Sequence, residues 1–126
     1  MKTIITTRNA PAPIGPYNQA VLAGNTLYTS GQIAFDPKTG QLILDDIKME
    51  TAQVMKNLKA VLETANMTFE NVVKSSIFIS NMDDFTKINE IYGSYFDDSN
   101  APARETIQVA RLPKDVNVEI SMIAVK

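Results

Sequence analysis

The stretch APARETIQVARLPKDVNVEIS, residues 101–121, decides how the sheet of this protein is interpreted. Residues 104–111 and 116–125 both alternate polar with apolar side chains, a pattern typical of β-strands. Leu112-Pro113-Lys114-Asp115 between them has the composition of a tight turn. We interpret the two segments as strands that close the chain and pair with each other as a hairpin.

The register of this hairpin determines which polar side chains can meet. A register that places Gln108 opposite Glu119 puts Arg104 and Glu119 on the same face of the sheet. The two residues are then separated by four positions along the ladder, about 13 Å at the rise of a strand. We therefore expect that a second subunit completes any small-molecule site that uses both residues.

The rest of the chain shows no repeat, linker or low-complexity segment. A proline-rich loop is expected over residues 9–16. Helical spacing of apolar residues predicts two helices, from Ile47 to Ala65 with Asp46 as the cap, and from Asn81 or Asp83 to about Phe96. Short strands are expected over residues 2–6, 17–22, 26–30 and 72–80, with further strand residues on either side of the turn at 36–40.

This order of elements predicts an α+β fold with both helices on one face of a mixed sheet. The strands are not cleanly polar on either side, since Ile107 and Val109 alternate with Thr106 and Gln108. Both faces of the sheet are thus expected to be at least partly buried, which favours self-association through the sheet.

Composition excludes several kinds of chemistry. The chain has 126 residues with no cysteine and no histidine, so disulfides, thiolate nucleophiles, Ser-His-Asp triads and His- or Cys-ligated metals are excluded. The net charge of -2 argues against a nucleic-acid binder. The N-terminal sequence lacks the apolar core of a signal peptide and no apolar run reaches the length of a membrane span, so we expect a soluble cytoplasmic protein.

Arg104 and Glu119 are the main candidates for chemistry. A guanidinium donates two parallel hydrogen bonds to a carboxylate and stays charged at any working pH, so Arg104 is suited to an anionic substrate. The alternative is a structural ion pair with an acidic neighbour. Glu119 could position or activate a water molecule, or bind an amine or imine nitrogen, or it could be an ordinary interface carboxylate.

Tyr17, Ser30 and Gly31 are weaker candidates. Glycine at a strand end lets a ligand approach the backbone, and its N–H can donate to an oxygen atom, although a bulge or turn explains it equally. Tyr17 could equally be an ordinary half-buried strand tyrosine.

Taken together, several segments resemble the RidA/YjgF (YER057c/UK114) family of reactive-intermediate imine deaminases. The resemblance covers nearly the whole chain in order, and its last motif is highly specific. The segments are APAPIGPYNQA (10–20), LYTSGQI (27–33), TAQVMKNLKAVLETAN (51–66), PAR (102–104) and VARLPKDVNVEIS (109–121).

The resemblance implies one RidA-like domain over residues 1–126, with a chorismate-mutase-like α+β fold that forms a homotrimer with clefts between subunits. It implies hydrolysis of 2-iminobutanoate and 2-iminopropanoate, reactive imines released by pyridoxal-phosphate dehydratases, to 2-oxo acids and ammonia, a form of metabolite damage repair. No cofactor and no metal are implied. Arg104 matches the arginine that binds the substrate carboxylate, with help from the backbone of Gly31, and Glu119 matches the acid that orients water. Tyr17 and Ser30 match cleft residues.

Two positions depart from the family pattern. Thr106 replaces a cysteine found in several relatives, and its hydroxyl still allows a substrate-binding role. Glu105 stands where relatives have a small residue, and we expect it to point away from Arg104.

Two other functions remain open from the sequence. The same cleft in a non-catalytic, regulatory trimer would bind a 2-oxo acid or similar metabolite. RNA cleavage would require a basic stripe, for which Lys74, Arg111 and Lys114 are the available residues.

Overall fold

The computed structural model describes residues 1–126 as one six-stranded sheet and two α-helices. The elements in chain order are β1 (Lys2–Ile5), β2 (Ala20–Ala23), β3 (Thr26–Thr29), α1 (Ile47–Thr64), β4 (Val72–Ile79), α2 (Phe85–Gly93), β5 (Ala103–Gln108) and β6 (Val118–Val125). Short 3-10 turns connect several of them. The predicted α+β fold, with a mixed sheet and both helices on one face, is confirmed. Neither helix is long and apolar enough to cross a membrane.

The strand order corrects the predicted hairpin. The sheet runs β1-β2-β3-β6-β4-β5, so β4 lies between β5 and β6. β5 pairs with β4 in parallel, while all other neighbouring strands are antiparallel. A parallel pair needs a long crossover, and α2 supplies it between β4 and β5. The turn near Leu112 therefore leads the chain across the end of β4 instead of folding β6 back onto β5.

The register also corrects the predicted placement of Arg104 and Glu119 on one face. Arg104 lies beside Ser75 of β4, and Glu119 lies beside Phe78. Those two residues of β4 are separated by three positions, and side chains alternate between faces with a period of two. Arg104 therefore points to the helix-covered face, and Glu119 points to the opposite, open face.

Helix α1 forms as the sequence predicts. The side chain of Asp46 accepts a hydrogen bond from the N–H of Met49 (2.8 Å), which satisfies a donor at the start of the helix. The apolar stripe of α1 is buried against the sheet: Val54, Met55, Leu58, Val61, Leu62 and Ala65. Helix α2 is shorter than predicted, since it ends at Gly93, but Ile88 and Tyr92 join the same core.

The open face of the sheet keeps apolar side chains in contact with solvent. Tyr28 and Ile107 are 50% and 45% exposed, and both lie on the face opposite the helices. Glu105 lies on this face, where it pairs with Lys74 (2.7 Å) and accepts a hydrogen bond from the hydroxyl of Ser76. The hydrogen bond with Lys74 is the main cause that lowers the pKa of Glu105. The sequence predicts that both faces of the sheet are at least partly buried. Within one chain, however, the helices cover only one face, and no other element covers the open face.

Candidate functional site

A cavity of about 470 Å³ brings together four of the predicted site residues. The loop that contains Pro11 and Ile14 forms one wall, and the segment after β3 and the start of β6 form the others. The four residues that line it are Tyr17, Ser30, Gly31 and Glu119. The volume is within the range of small-molecule sites in proteins.

Glu119 is the carboxylate of this cavity. Its side chain is partly buried, and no cationic group lies within 4.0 Å of it. Burial raises the pKa of Glu119, because the charged carboxylate loses solvation. A carboxyl group with a raised pKa and no ion-pair partner is suited to exchange a proton with a bound molecule or with water.

Gly31 is required by the position of Glu119. A Cβ atom at residue 31 would lie 2.8 Å from the carboxyl carbon of Glu119, which is closer than real Cβ contacts come. The backbone of Gly31 is held in place by a bridge at the next residue, where Gln32 and Ile120 exchange hydrogen bonds of 2.8 and 3.1 Å. The N–H of Gly31 itself has no partner in the chain, so it is available to an oxygen atom of a ligand.

Ser30 and Tyr17 are held by the backbone around the cavity. The Ser30 hydroxyl donates to the carbonyl of Asn18 (2.5 Å), so it fixes the loop and its oxygen can still accept a further bond. Tyr17 is 49% exposed, and its hydroxyl accepts a hydrogen bond from the N–H of Ile14 (3.3 Å). Both side chains therefore shape the wall of the cavity.

Arg104 lies outside this cavity, on the opposite face of the sheet. Its guanidinium lies 5.6 Å from the ring centre of Phe85 and 5.4 Å from that of Tyr92, and it donates a hydrogen bond to the side-chain oxygen of Asn89. Attraction between a cation and aromatic rings orients such a group without neutralising it. No carboxylate within the chain lies within 4.0 Å of Arg104, so the predicted alternative of a structural ion pair is not met inside one chain.

Thr106 follows Arg104 on the same face of β5. Its hydroxyl oxygen is the one buried side-chain polar atom of the chain that has no hydrogen-bond partner. Buried polar groups are almost always paired, so an unpaired one calls for an explanation. The hydroxyl of Tyr92 nearby donates to Ser75 (2.8 Å), and burial raises the pKa of Tyr92.

Sequence reasoning missed the residues that hold Arg104 and the loop of the cavity. Phe85, Asn89 and Tyr92 follow one another at intervals of four and three residues, which places them on one face of α2. This spacing could have indicated that the three residues share a face. Asn89 was not identified because the segment was interpreted only through its apolar residues. Gln19 gave no signal, although it is buried and its side chain binds the backbone of Thr7, Ala10 and Pro11.

The other basic residues considered for an RNA site are mostly paired. Arg111 forms an ion pair with Asp115 (2.5 Å), which raises the pKa of Arg111 and lowers that of Asp115, and Lys74 is paired with Glu105. Only Lys114 is unpaired, and it lines the cavity of Glu119. No cluster of three or more acidic side chains that could hold a metal ion is present.

The fold is that of a small α+β protein with a partly buried carboxylate in a cavity of small-molecule size. Residues 7–126 match the family described as Endoribonuclease L-PSP, and the chain belongs to this family, as the resemblance to RidA/YjgF proteins indicated. A RutC family protein from Pyrococcus horikoshii is 52% identical over 126 residues, which cover 100% of this chain and 99% of that protein.

Two further relatives carry more specific names. The human protein named 2-iminobutanoate/2-iminopropanoate deaminase is 44% identical over 126 residues. The match covers 100% of this chain and 91% of the human protein. The crystal structure of E. coli TdcF with bound serine has a TM-score of 0.92 at 42% identity, with 98% of both chains covered.

Proposed function

We propose that the protein hydrolyses 2-imino acids to 2-oxo acids and ammonia, with 2-iminobutanoate and 2-iminopropanoate as substrates. The observation that carries the proposal is the pair of unpaired charges, Glu119 in its cavity and Arg104 against two aromatic rings. A 2-imino acid offers a carboxylate for the arginine and an electrophilic carbon for water. The names of the human relative and of TdcF with bound serine, an α-amino acid, support this class of ligand.

The reaction requires little from the protein beyond placement. Water adds to the carbon of the protonated imine, the C–N bond then breaks, and ammonia leaves while the carbon–oxygen double bond forms. In this proposal, ionised Glu119 accepts a proton from the attacking water and returns it to the leaving nitrogen, and the remaining hydroxyl proton is lost as the carbon–oxygen double bond forms, so that ammonia and a proton leave together as ammonium. The N–H of Gly31 and Arg104 bind the carboxylate, and the unpaired hydroxyl of Thr106 adds a hydrogen bond.

One chain cannot assemble this site, because Arg104 and Glu119 lie on opposite faces of the sheet. We therefore place the site between two copies, with Arg104 and Thr106 from one and Tyr17, Ser30, Gly31 and Glu119 from the other. The apolar open face that carries Tyr28 and Ile107 supplies the surface for association. A closed ring of three copies, as in the implied homotrimer, gives three equivalent sites.

A coupled assay tests the proposal. A threonine dehydratase supplied with threonine produces 2-iminobutanoate, and semicarbazide traps the part that is not hydrolysed. The wild-type protein should lower trapping, and Arg104→Ala should lower kcat/KM by roughly 10- to 100-fold through loss of a charged hydrogen-bonding group. Arg8→Ala, which removes an exposed arginine, is the matched control and should behave as wild type.

The assay also distinguishes the regulatory alternative. If the wild type leaves trapping unchanged while 2-oxobutanoate binds it with an affinity that Arg104→Ala reduces, the deaminase proposal is wrong and metabolite binding is the function. RNA cleavage receives no support from the chain, since two of its three basic candidates are paired with carboxylates.

A further inference from the structure

Glu50, in the first turn of α1, is a buried carboxylate without an ion-pair partner. It is 0% exposed, and no lysine or arginine lies within 4.0 Å. Removing a carboxylate from water without a cationic partner is unfavourable unless several donors replace the water. An apolar side chain would pack α1 onto the sheet at lower cost, so the presence of an acid here requires a reason.

The donors that replace water belong to Asn117, just before β6, and to Val118, its first residue. One oxygen of Glu50 accepts hydrogen bonds from the backbone N–H groups of Asn117 (2.7 Å) and Val118 (3.2 Å). The other oxygen accepts from the side-chain amide of Asn117 (2.8 Å). All three partners donate, which is the pattern that suits an ionised carboxylate.

Val118 has Ile79 of β4 as its neighbour on one side of β6, but on the other side no strand accompanies residues 117 and 118. β3 pairs with β6 only over the three positions from Thr26 to Tyr28, at the far end of β6. The chain after β3 returns to β6 at a single bridge between Gln32 and Ile120. Glu50 therefore supplies, from the helix layer, the acceptor that a neighbouring strand would supply in a longer ladder.

Glu119 lies between these two attachments. On one side Glu50 holds Asn117 and Val118, and on the other the Gln32 bridge holds Ile120. Asn117 is further bound to the end of β4, where its carbonyl accepts from the N–H of Ser80 (3.1 Å). The backbone on both sides of Glu119 is thus fixed by hydrogen bonds that the residue itself does not make.

We propose that Glu50 is a positioning residue, which holds the start of β6 so that the carboxylate of Glu119 stays in the cavity against Gly31. This inference rests on the proposed role of Glu119. Loss of the Glu50 contacts leaves residues 117 and 118 held by β4 on one side only, while the Gln32 bridge still holds Ile120, so the strand shifts at Glu119. A shift of about 1 Å at a reacting group lowers the rate by up to a hundredfold.

Glu50→Gln tests the contact. The amide oxygen of Gln can still accept from the two backbone N–H groups, but its NH₂ then faces the NH₂ of Asn117. We expect kcat to fall by roughly tenfold with KM within about twofold of wild type. Glu63→Gln, the same substitution at an exposed position of α1, is the control and should leave both constants unchanged.

A compensating substitution separates positioning from general loss of stability. In Glu50→Gln/Asn117→Asp the new carboxylate accepts from the new amide, which restores the hydrogen bond and the net charge. This double variant should recover most of the lost kcat. Asn117→Ala removes the amide contact with Glu50 and the hydrogen bond from the Ser80 hydroxyl (3.2 Å), but it keeps both backbone contacts. It is the milder variant for use if Glu50→Gln alone does not fold, and it should lower kcat in the same way. Equal kcat values for wild type and the folded variants would overturn the proposal.

Two further measurements test whether Glu50 acts through Glu119. In a Glu119→Gln background, Glu50→Gln should cause no further loss of kcat, and losses that multiply would overturn the proposal. The pH midpoint of the Glu119 carboxyl carbon, followed by ¹³C NMR, needs no activity. It should move toward that of an exposed glutamate in Glu50→Gln and return in the double variant. An unchanged midpoint would overturn the positioning role even if the protein proves not to be a deaminase.

Discussion

Arg104 and Glu119 belong to the same sheet but point to opposite faces of it, since their neighbours on β4 are Ser75 and Phe78. A molecule bound by both side chains must therefore lie between two copies of the chain. In the proposed site each copy therefore contributes half of the residues, and this division can be tested with mixtures of variants.

Mixing of two inactive variants should restore activity. Arg104→Ala and Glu119→Gln each remove one half of every site, so each alone should keep at most about one tenth of wild-type activity. When the two are unfolded and refolded together in equal amounts, random assembly pairs an intact Arg104 with an intact Glu119 at about one quarter of the sites. Deaminase activity of the mixture near that fraction of wild type is expected. A mixture as inactive as its components would show that Arg104 and Glu119 do not serve one site shared between copies.

Gly31→Ala should impair the reaction while the fold survives. The added Cβ meets the side chain of Glu119, a flexible group that can turn away, and the backbone of Gly31 does not require a positive φ. The carboxylate then leaves its position, and kcat/KM should fall by up to about a hundredfold. The melting temperature should change little. Circular dichroism and the coupled assay measure both effects, and a fully active Gly31→Ala would contradict the contact.

The pH dependence of stability should report the burial of Glu119. Because its pKa is raised in the folded protein, the folded chain binds more protons than the unfolded chain between the ordinary pKa of glutamate and the raised value. The contribution of Glu119 to the free energy of unfolding therefore falls as the pH rises through this window. The melting temperature of Glu119→Gln minus that of the wild type should therefore increase between about pH 3 and about pH 7. A difference that stays constant over this range would show that Glu119 is not desolvated.

Gln19→Ala should loosen the wall of the cavity. The buried amide of Gln19 donates to the carbonyls of Ala10 (3.1 Å) and Pro11 (2.8 Å), and its oxygen accepts from the N–H of Thr7 (2.7 Å). Loss of these bonds leaves buried backbone groups unpaired, so the free energy of unfolding should fall by about 2–3 kcal/mol. Urea denaturation measures this value. Gln41→Ala, at an exposed position, is the control, and equal losses in both variants would refute the anchoring role.

Much of the fold could be predicted because local patterns carry it. The stripe from Val54 to Ala65 and the cap at Asp46 locate α1 almost to the residue. The pairing of strands is different, since alternation shows that a segment is a strand but not which strand lies beside it. The turn at Leu112–Asp115 favoured a hairpin, whereas β5 pairs with β4 across the crossover through α2.

The lack of information on strand pairing also explains which parts of the site could be predicted. Tyr17, Ser30, Gly31 and Glu119 were named from the sequence, and they line one cavity. Arg104 was assigned to the face of Glu119 only because the wrong partner strand was chosen. The roles of Gln19 and Glu50 could not be predicted, because each depends on contacts between segments whose arrangement the sequence pattern does not specify.

The central position of β6 has a consequence for the synthesis of the protein. β6 is made after all the strands it joins, yet it separates β3 from β4. Until residues 118–125 leave the ribosome, β3 and β4 each present an unpaired edge, and such edges promote aggregation of nascent chains. Glu119 arrives with the same segment. The growing chain therefore cannot possess a working site before its sheet is closed, and premature termination should yield insoluble fragments in place of partly active ones.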